Sequence, residues 1–543
     1  MSRKAPGAHR GEWAALAALL ALATCFLPFN DGPWALTEDP LRHAFALFAA
    51  FAFALAWWIG ARRRSGRRRA AQGESASDLH GEALPIIYAT QTGEAEALAH
   101  RTRDALREAG VSARVLALET LDPIALASLP RALFIASTTG EGDPPDIVAG
   151  FAQRVMGGTL PLPGLRYAVL ALGDRSYEDY CGFGRRLDQW LAAQGAQPLF
   201  PRIDVDDGDP AALESWREAL ARSIADRPLT ATWRAAPWQT WRLARRVELN
   251  PGSLGEPAFH LELTSLSGLM PDWRAGDIAE IRPQHDPDVL AQWFDRTGLN
   301  ADASVSSAGG IERFGDRLAH CELPDPATVT GFDAQQVADT LVDLKPRDYS
   351  IASLPGDGHL ALLVRQGRRP DGSLGLGAGW LTRHAALRGR IALRLRANPG
   401  FHAPEADLPL ILIGNGTGMA GLRALLRERI VQGRHANWLL FGERQRQRDF
   451  YYADELQDAL AAGRLERLDL AFSRDGKGPR YVQHLLDEHA QRLHDWIARG
   501  AAIRVCGSLE GMASGVDAAL RRALGNPSVD ALLESGRYRR DVY

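Results

Sequence analysis

The chain has 543 residues, a net charge of -3 and 24% charged residues. This length exceeds what one hydrophobic core supports, so three or four domains are expected. The balanced charge gives no reason to expect a nucleic acid partner. The four cysteines lie far apart and form no C-x-x-C pair, which argues against an iron-sulfur cluster, a structural zinc or a disulfide framework, and no metal site is predicted. They are Cys25, Cys181, Cys321 and Cys506.

The amino-terminal segment contains two nearly uncharged apolar runs, 13–29 and 44–60, and a cluster of arginines follows the second run. By hydropathy and the positive-inside rule, residues 1–60 are predicted to be a membrane anchor of two transmembrane helices. Residues 61–83 then form a basic, flexible linker. This predicts a location at the inner (cytoplasmic) membrane, with the catalytic domains facing the cytoplasm. In an alternative interpretation, the first run is a cleaved signal peptide.

The folded sequence begins near Leu84 with a strand, a polar loop and an amphipathic helix. The loop offers hydroxyl, amide and backbone N–H donors at a helix start, which favours a bound phosphate. It contains no Lys or Arg, so a mononucleotide suits it better than a triphosphate. Its residues are Thr90, Gln91, Thr92, Gly93, Glu94 and Ala95.

Two further strands end in polar loops, which begin near Ser137 and Leu172. Ligands bind beyond the carboxyl ends of strands in such sheets. Together the three loops resemble those of a flavodoxin-like FMN domain, here 84–226, and the resemblance implies that Tyr177 stacks on the flavin ring. The residues implied in the second and third loops are Ser137, Thr138, Thr139, Gly140, Gly142, Leu172, Gly173, Asp174, Tyr177, Tyr180 and Gly182.

After about Asp226 the sequence changes to shorter extended stretches that are typical of an antiparallel barrel. The segment 345–355, KPRDYSIASLP, and the glycine-rich segment 375–382 resemble the FAD-binding motifs of ferredoxin-NADP reductase-like barrels. This predicts an FAD-binding barrel over 227–403, with a short connecting insert. The residues implied in FAD binding are Arg347, Asp348, Tyr349, Ser350, Gly375, Gly377, Ala378 and Gly379.

The remaining segment, 404–543, opens with a buried strand, a glycine turn and a helix, the pattern of a Rossmann-like NADP-binding domain. This segment also resembles the NADP-binding domain of ferredoxin-NADP reductase-like proteins, and the resemblance implies that Arg474 is the cation that receives the 2'-phosphate of NADPH. The implied nucleotide contacts are Gly416, Thr417, Gly418, Ser473, Arg474, Tyr481 and Gln483.

Four residues resemble the hydride-transfer site of the ferredoxin-NADP reductase-like proteins: Ser350, Cys506, Asp541 and the terminal Tyr543. The resemblance implies that Cys506 and Ser350 lie near the nicotinamide ring and that Tyr543 covers the FAD ring. Taken by itself, Cys506 is equally typical of a small core residue at a strand end.

Over 84–543 the chain resembles the diflavin reductases of the sulfite reductase flavoprotein and NADPH–haemoprotein reductase type. The predicted fold is α/β multidomain: a flavodoxin-like doubly wound sheet, an antiparallel barrel and a Rossmann-like domain, preceded by transmembrane helices. The resemblance implies that electrons pass from NADPH to FAD, then FMN, then a one-electron acceptor. Because a membrane anchor is predicted, the acceptor is expected to be a membrane haem protein, a quinone or a ferric iron system, in preference to a sulfite reductase haem subunit. The alternative is a membrane-tethered flavin sensor or scaffold without turnover.

Overall fold

The computed structural model describes residues 83–543, apart from 92, 176, 230–236, 269, 308–309 and 477–479. The two predicted transmembrane helices and nearly all of the linker therefore lie outside the described residues. Within the part that is described, no helix is both long enough and apolar enough to cross a membrane.

The first sheet is parallel, with strand order β2-β1-β3-β4-β5 and with β6 beside β4. Strands β3 and β4 are continuous apolar runs because helices cover both faces of the sheet. Strand bounds are β1 Leu84–Ala89, β2 Ala113–Ala117, β3 Arg131–Ser137, β4 Arg166–Gly173, β5 Gln197–Pro198 and β6 Ile203–Asp206. Helix bounds are α1 Glu94–Glu108, α2 Pro123–Ser128, α3 Ala149–Phe151, α4 Gly182–Ala193 and α5 Pro210–Leu220.

The second sheet is antiparallel and packs its inward side chains into one core. A bridge between Ile351 and Leu362 joins the two end strands, so the sheet closes into a barrel. An insert of helices and a two-stranded ribbon has a small aromatic core. The barrel strands are β7 Gln239–Glu248, β8 Ala258–Ser265, β9 Ile278–Ile281, β12 Arg347–Ser350, β13 Leu360–Arg365 and β14 Arg390–Arg396. The insert holds α6 Pro287–Thr297, β10 Ser304–Ser307, β11 Gly310–Arg313, α7 Phe314–Ala319 and α8 Ala334–Ala338, and α9 Leu376–Gly379 precedes β14.

The third sheet is parallel, with order β17-β16-β15-β18-β19, so that β15 lies at its centre and β19 at its edge. Its strands are β15 Leu410–Asn415, β16 Asn437–Glu443, β17 Arg467–Phe472, β18 Ala502–Gly507 and β19 Tyr538–Val542. Its helices are α10 Met419–Val431, α11 Arg446–Asp449, α12 Ala453–Ala461, α13 Val482–Glu488, α14 Ala490–Ala498, α15 Ser514–Leu524 and α16 Asn526–Glu534.

The three sheets face one another through their loops. A side-chain carbon at Gly400, in the segment after β14, would lie 2.8 Å from the carbonyl oxygen of Gln91 in the first loop of the flavodoxin-like sheet. Arg396 at the end of β14 and Arg540 in β19 also reach towards that sheet. The loop ends that the sequence analysis singled out therefore lie at the junctions between the domains.

Candidate functional site

The first loop folds back over the start of α1. Thr90 is buried, and its Oγ1 accepts a hydrogen bond from the N–H of Gly93 at 2.9 Å. Gly93 has φ +87°, a left-handed conformation that favours glycine, and no side chain among the described residues caps the helix that follows. The first N–H groups of α1 thus remain available to an anion. Thr92 lies outside the described residues, while Glu94 and Ala95 begin the helix.

The second loop forms a tight turn held by two backbone hydrogen bonds of 2.8 Å between Thr139 and Asp143. Gly140 and Gly142 adopt left-handed φ values inside it. The hydroxyl oxygens of Thr138 and Thr139 are buried without a hydrogen-bond partner in the described chain. Buried hydroxyl groups without a partner indicate that a bound ligand supplies the missing hydrogen bonds.

The third loop follows β4 and presents Tyr177 with 44% of its surface exposed. Lys345, which precedes the barrel strand β12, donates to Asp174 at 3.0 Å and so ties this loop to the second domain. A side-chain carbon at Gly182 would overlap Asp179. Tyr180 lies under the guanidinium of Arg175 rather than facing solvent freely. Tyr177 is therefore the ring of this loop that is open to stacking.

The predicted FAD residues meet in the barrel. A side-chain carbon at Gly377 would lie 2.6 Å from Arg347 Cγ and 2.9 Å from Tyr349 Oη. The glycine turn thus packs directly on the Arg–x–Tyr–Ser strand. Asp348 pairs instead with Arg396, a residue that the sequence analysis did not single out. Of the other turn residues, Gly375 and Gly379 share a 2.6 Å backbone hydrogen bond, and Ala378 accepts one from Thr382.

The glycine turn after β15 requires a close approach to β18. Side-chain carbons at Gly414 and Gly418 would both collide with the carbonyl oxygen of Cys506. Gly416 has φ +55° and lies beside Arg365, which pairs with the buried Glu443. Glycine at position 418 is therefore required by packing against β18, whether or not a ligand binds. Arg365 places a cation at this turn that the local motifs did not indicate.

Ser350, Cys506 and Asp541 meet at one point, although they come from β12, β18 and β19. Ser350 Oγ donates to Asp541 Oδ2 at 2.9 Å, and Cys506 Sγ lies 3.8 Å from the same oxygen. Burial, with a smaller effect of Asp541, raises the pKa of the Cys506 thiol well above its usual value. Gly421 of α10 lies opposite, where a side-chain carbon would be 3.4 Å from Cys506 Sγ. The result is a small polar cluster with a protonated thiol.

Tyr543 lies beside this cluster and over the glycine turn. Its hydroxyl group hydrogen-bonds to Thr417 Oγ1 at 3.1 Å, and 58% of the residue's surface is exposed. Backbone hydrogen bonds with Gly507 and Leu509 hold the terminal residue in place. The ring therefore covers the turn while remaining displaceable.

The predicted 2'-phosphate residues lie on two elements at the carboxyl edge of the third sheet. Ser473 and Arg474 follow β17, and their backbone N–H groups donate to Glu443 and Arg444. Tyr481 and Gln483 lie at the start of α13, and Tyr481 is 42% exposed. Exposed Arg474 and Tyr481 present a cation and a flat ring to solvent at that edge.

The structure also brings together residues that local motifs did not indicate. Gln91 of the first loop exchanges hydrogen bonds with Asp146 and donates to the carbonyl oxygen of Arg540 at 2.8 Å. Arg540 in turn pairs with Asp146. No local sequence signal could have found this set, because Gln91 and Asp146 lie 55 positions apart and Arg540 lies 394 positions beyond Asp146.

The loops fit the groups that the sequence analysis assigned to them. The unpartnered hydroxyls of Thr138 and Thr139 and the open start of α1 suit a flavin mononucleotide. The contact of Gly377 with Arg347 and Tyr349 suits backbone approach to a pyrophosphate, and the uncapped turn at Gly416 suits a second dinucleotide.

Two family models match the chain. The flavodoxin model matches residues 86–219, which cover most of the first sheet. The model of the oxidoreductase NAD-binding domain matches residues 412–518 in the third sheet.

Curated relatives align along almost the whole chain, and all three named here are sulfite reductase [NADPH] flavoprotein alpha-components. That of Vibrio cholerae serotype O1 (strain ATCC 39315 / El Tor Inaba N16961) is 28% identical, covering 96% of this chain and 97% of its own length. That of Photobacterium profundum is 29% identical, over 85% and 89%. That of Bacillus subtilis (strain 168) is 28% identical, over 89% and 93%.

These comparisons contradict the predicted location at the inner membrane. The Vibrio alignment covers more of the chain than the residues after position 82 could supply, so it extends into the segment assigned to the anchor. The apolar runs in that segment are at the short limit for spanning a bilayer. The predicted location at the inner membrane is therefore wrong.

The flavodoxin model matches the first described domain and the NAD-binding model matches the third. The barrel lies between these two domains in the sequence. The relatives align with the chain across all three of these parts. The two matched domains and the relatives together support an NADPH-dependent flavoprotein oxidoreductase of the diflavin reductase family, which uses FMN and FAD.

Proposed function

We propose that this chain takes electrons from NADPH and delivers them one at a time to a haem or iron protein. The observation that carries the proposal is the cluster of Ser350, Cys506 and Asp541, with Tyr543 beside it over the dinucleotide turn. A chain that only stored or sensed a flavin has no need for a polar cluster and a displaceable aromatic cover at the same place.

The first domain would hold FMN. The open start of α1 receives the phosphate, and the buried hydroxyls of Thr138 and Thr139 donate to the remainder of the cofactor. Tyr177 supplies an exposed ring face for stacking. These neutral groups hold the cofactor without adding positive charge to the loop.

The second and third domains would hold FAD and NADPH. Arg347 and Tyr349, with the turn at Gly377, receive FAD, while the turn at Gly416 receives the nicotinamide dinucleotide. The 2'-phosphate contacts are Ser473, Arg474, Tyr481 and Gln483. When bound, the cofactors supply hydride acceptance and one-electron transfer, and the protein supplies position and electrostatics.

The side chains of the polar cluster orient the bound cofactors and do not react with them as nucleophiles. Asp541 accepts from Ser350, and this hydrogen bond fixes the hydroxyl at the barrel end. Burial raises the pKa of Asp541, and the Ser350 hydrogen bond partly opposes that effect. Because the Cys506 thiol keeps its proton, it acts as a small polarisable contact and not as a nucleophile.

Tyr543 controls access to the cluster. One side-chain hydrogen bond to Thr417 and an exposed ring make its displacement inexpensive, on the order of 1 kcal/mol for the lost hydrogen bond. Its backbone stays held by Gly507, so the ring can return after each turnover. The residue therefore excludes water from the site when no nicotinamide is present.

The acceptor that we favour is a haem protein. The relatives are named as flavoprotein components of sulfite reductase, so a haem-containing partner subunit is the first candidate. Membrane acceptors were predicted from a location at the inner membrane, which the comparisons contradict. A soluble haem protein or a ferric iron system remains the second choice.

The test uses the full-length protein with its bound cofactors. NADPH is expected to bleach the flavin absorbance and to drive reduction of both ferricyanide and cytochrome c. A protein that binds flavin but transfers no electrons to either acceptor would instead be the sensor or scaffold. Comparing a purified sulfite reductase haem subunit with cytochrome c as acceptor then tests the partner.

A further inference from the structure

A cavity of about 430 Å³ lies between the barrel and the nucleotide-binding domain. His260 and Glu262 point into it from one face of β8, because they are two positions apart on a strand. His359 joins them from the residue just before β13, which pairs with β8. Each of the three offers one ligand atom, and these atoms all lie within 4.8 Å of one another.

His260 is oriented by a residue of the other domain. Its Nδ1 lies 3.0 Å from Tyr452 Oη, and its Nε2 lies 3.3 Å from Glu262 Oε1. His260 is buried, with 9% of the residue's surface exposed. Metal-binding histidines characteristically use one ring nitrogen for the ion and the other for such an orienting hydrogen bond.

The arginines around the cavity are already paired with carboxylates. Arg423 pairs with Glu455 and Arg427 pairs with Asp357, each at 2.6 Å. An anionic ligand would have to break these ion pairs. The third arginine, Arg245, contacts Glu262 at 2.9 Å but is 60% exposed, so it can leave that carboxylate at low cost.

We propose that His260, Glu262 and His359 bind a divalent metal ion of the zinc class. Two imidazoles and one carboxylate suit Zn²⁺ and its late first-row neighbours, whereas Mg²⁺ and Ca²⁺ prefer oxygen ligands alone. The ion binds to the barrel, and Tyr452 of the neighbouring domain supports the site, so metal binding stabilises the junction between the two domains.

This site is distinct from the proposed reaction site. On α10, Gly421 faces Cys506, whereas Arg423 lines the cavity. Two residues along an α-helix are about 200° apart, so the two sites lie on opposite faces of the helix. The prediction of no metal site depended on the spacing of the cysteines, whereas His359 lies far along the chain from the His–x–Glu pair.

The experiment measures Zn²⁺ binding to the full-length protein with its flavins, by titration calorimetry and by elemental analysis after desalting. One ion per chain and a higher Tm with Zn²⁺ are expected. His359→Ala should weaken binding by ~10-fold or more, and Arg245→Ala should strengthen it because Glu262 is released. His435→Ala, at an exposed histidine away from the cavity, should change nothing.

Glu262→Gln serves as a second variant in case His359→Ala does not fold, which the Tm without metal reveals. The proposal is overturned if the protein binds no Zn²⁺, or if His359→Ala and Glu262→Gln bind it as the parent does. Binding of inorganic phosphate in the same cavity, lost in Arg423→Ala, would also overturn it and would mark an anion site.

Discussion

Arg540 and Asp146 form an ion pair that joins the nucleotide-binding domain to the flavodoxin-like domain across 394 positions of sequence. Arg540 Nε lies 2.7 Å from Asp146 Oδ2, and Asp146 retains only 7% exposure. Gln91 contacts both residues. Because Arg540 precedes Asp541 in β19, the pair holds the proposed FMN loops beside the strand that carries the proposed hydride-transfer cluster.

Arg540→Gln is expected to loosen the docking of the flavodoxin-like domain. A hydrogen-bonded, partly buried charge pair contributes ~1.5–3 kcal/mol, so the ratio of docked to undocked molecules should fall roughly 10-fold or more. Small-angle X-ray scattering should report a larger radius of gyration than for the parent at the same salt concentration.

Arg499→Gln is the matched control for that experiment, because Arg499 pairs with Glu466 within one domain and both side chains are exposed. It should leave the radius of gyration unchanged. An Arg540→Gln protein as compact as the parent would show that other contacts, such as Lys345 with Asp174, hold the domains together.

Ser350→Ala should slow flavin reduction by NADPH. The variant removes the donor to Asp541 and leaves a buried carboxylate without this partner, which predicts a loss of roughly 10-fold or more in the hydride-transfer rate. Stopped-flow measurement of flavin bleaching checks this.

Ser353→Ala is the control for Ser350→Ala. Ser353 is also buried, but its hydroxyl is hydrogen-bonded to His359 and Ala361 within the barrel. It should lower stability and leave flavin reduction intact. If Ser350→Ala and the parent reduce flavin at equal rates, Ser350 has no part in hydride transfer.

Arg474→Ala should reduce the preference for NADPH over NADH. Loss of one guanidinium from the 2'-phosphate contact predicts a rise in the KM for NADPH of ~10-fold or more. The KM for NADH, which lacks that phosphate, should change little and is the internal control. A parallel rise for both nucleotides would mean that Arg474 acts on the fold of the site instead.

Acid should destabilise the barrel through His320. Burial, aided by Arg282, lowers the pKa of His320 from 6.5 to about 4. Pro283 O accepts from Nδ1 at 2.9 Å, and Gln284 lies 3.1 Å from Nε2, which suits the neutral ring. The folded state thus binds the proton less tightly than the unfolded chain. Stability is therefore full above pH 6.5 and falls by about 3 kcal/mol as the pH drops to 4.

His320→Gln should flatten that part of the pH dependence. The free energy of unfolding of the parent and the variant is compared by denaturant unfolding between about pH 7 and pH 4. This range roughly spans the pKa of His320 in the unfolded chain and in the folded protein. At pH 7 the variant will be less stable, since it loses the hydrogen bond to Pro283. An unchanged slope with pH would assign the acid sensitivity to other groups.

The motifs with local spacing could be predicted from the sequence. A strand, a polar loop and a helix start are set by hydrophobic periodicity and by glycine within about ten residues, so the three parallel-strand loops and the glycine turn at Gly416 were recognisable. The flavodoxin and NAD-binding matches confirm the two predicted kinds of domain. The predicted location at the inner membrane was wrong, because it was inferred from hydropathy and arginine positions alone.

By itself, the sequence determined which short segments can surround phosphates and rings, since backbone conformation and side-chain chemistry within a loop depend on neighbouring residues. Only the tertiary structure decided which loops meet. The contacts of Arg540 with Asp146, of Ser350 with Asp541 and of His359 with Glu262 join separate elements, and no periodicity encodes such pairs. They follow from how whole sheets pack, which is a cooperative property of buried surfaces throughout the chain.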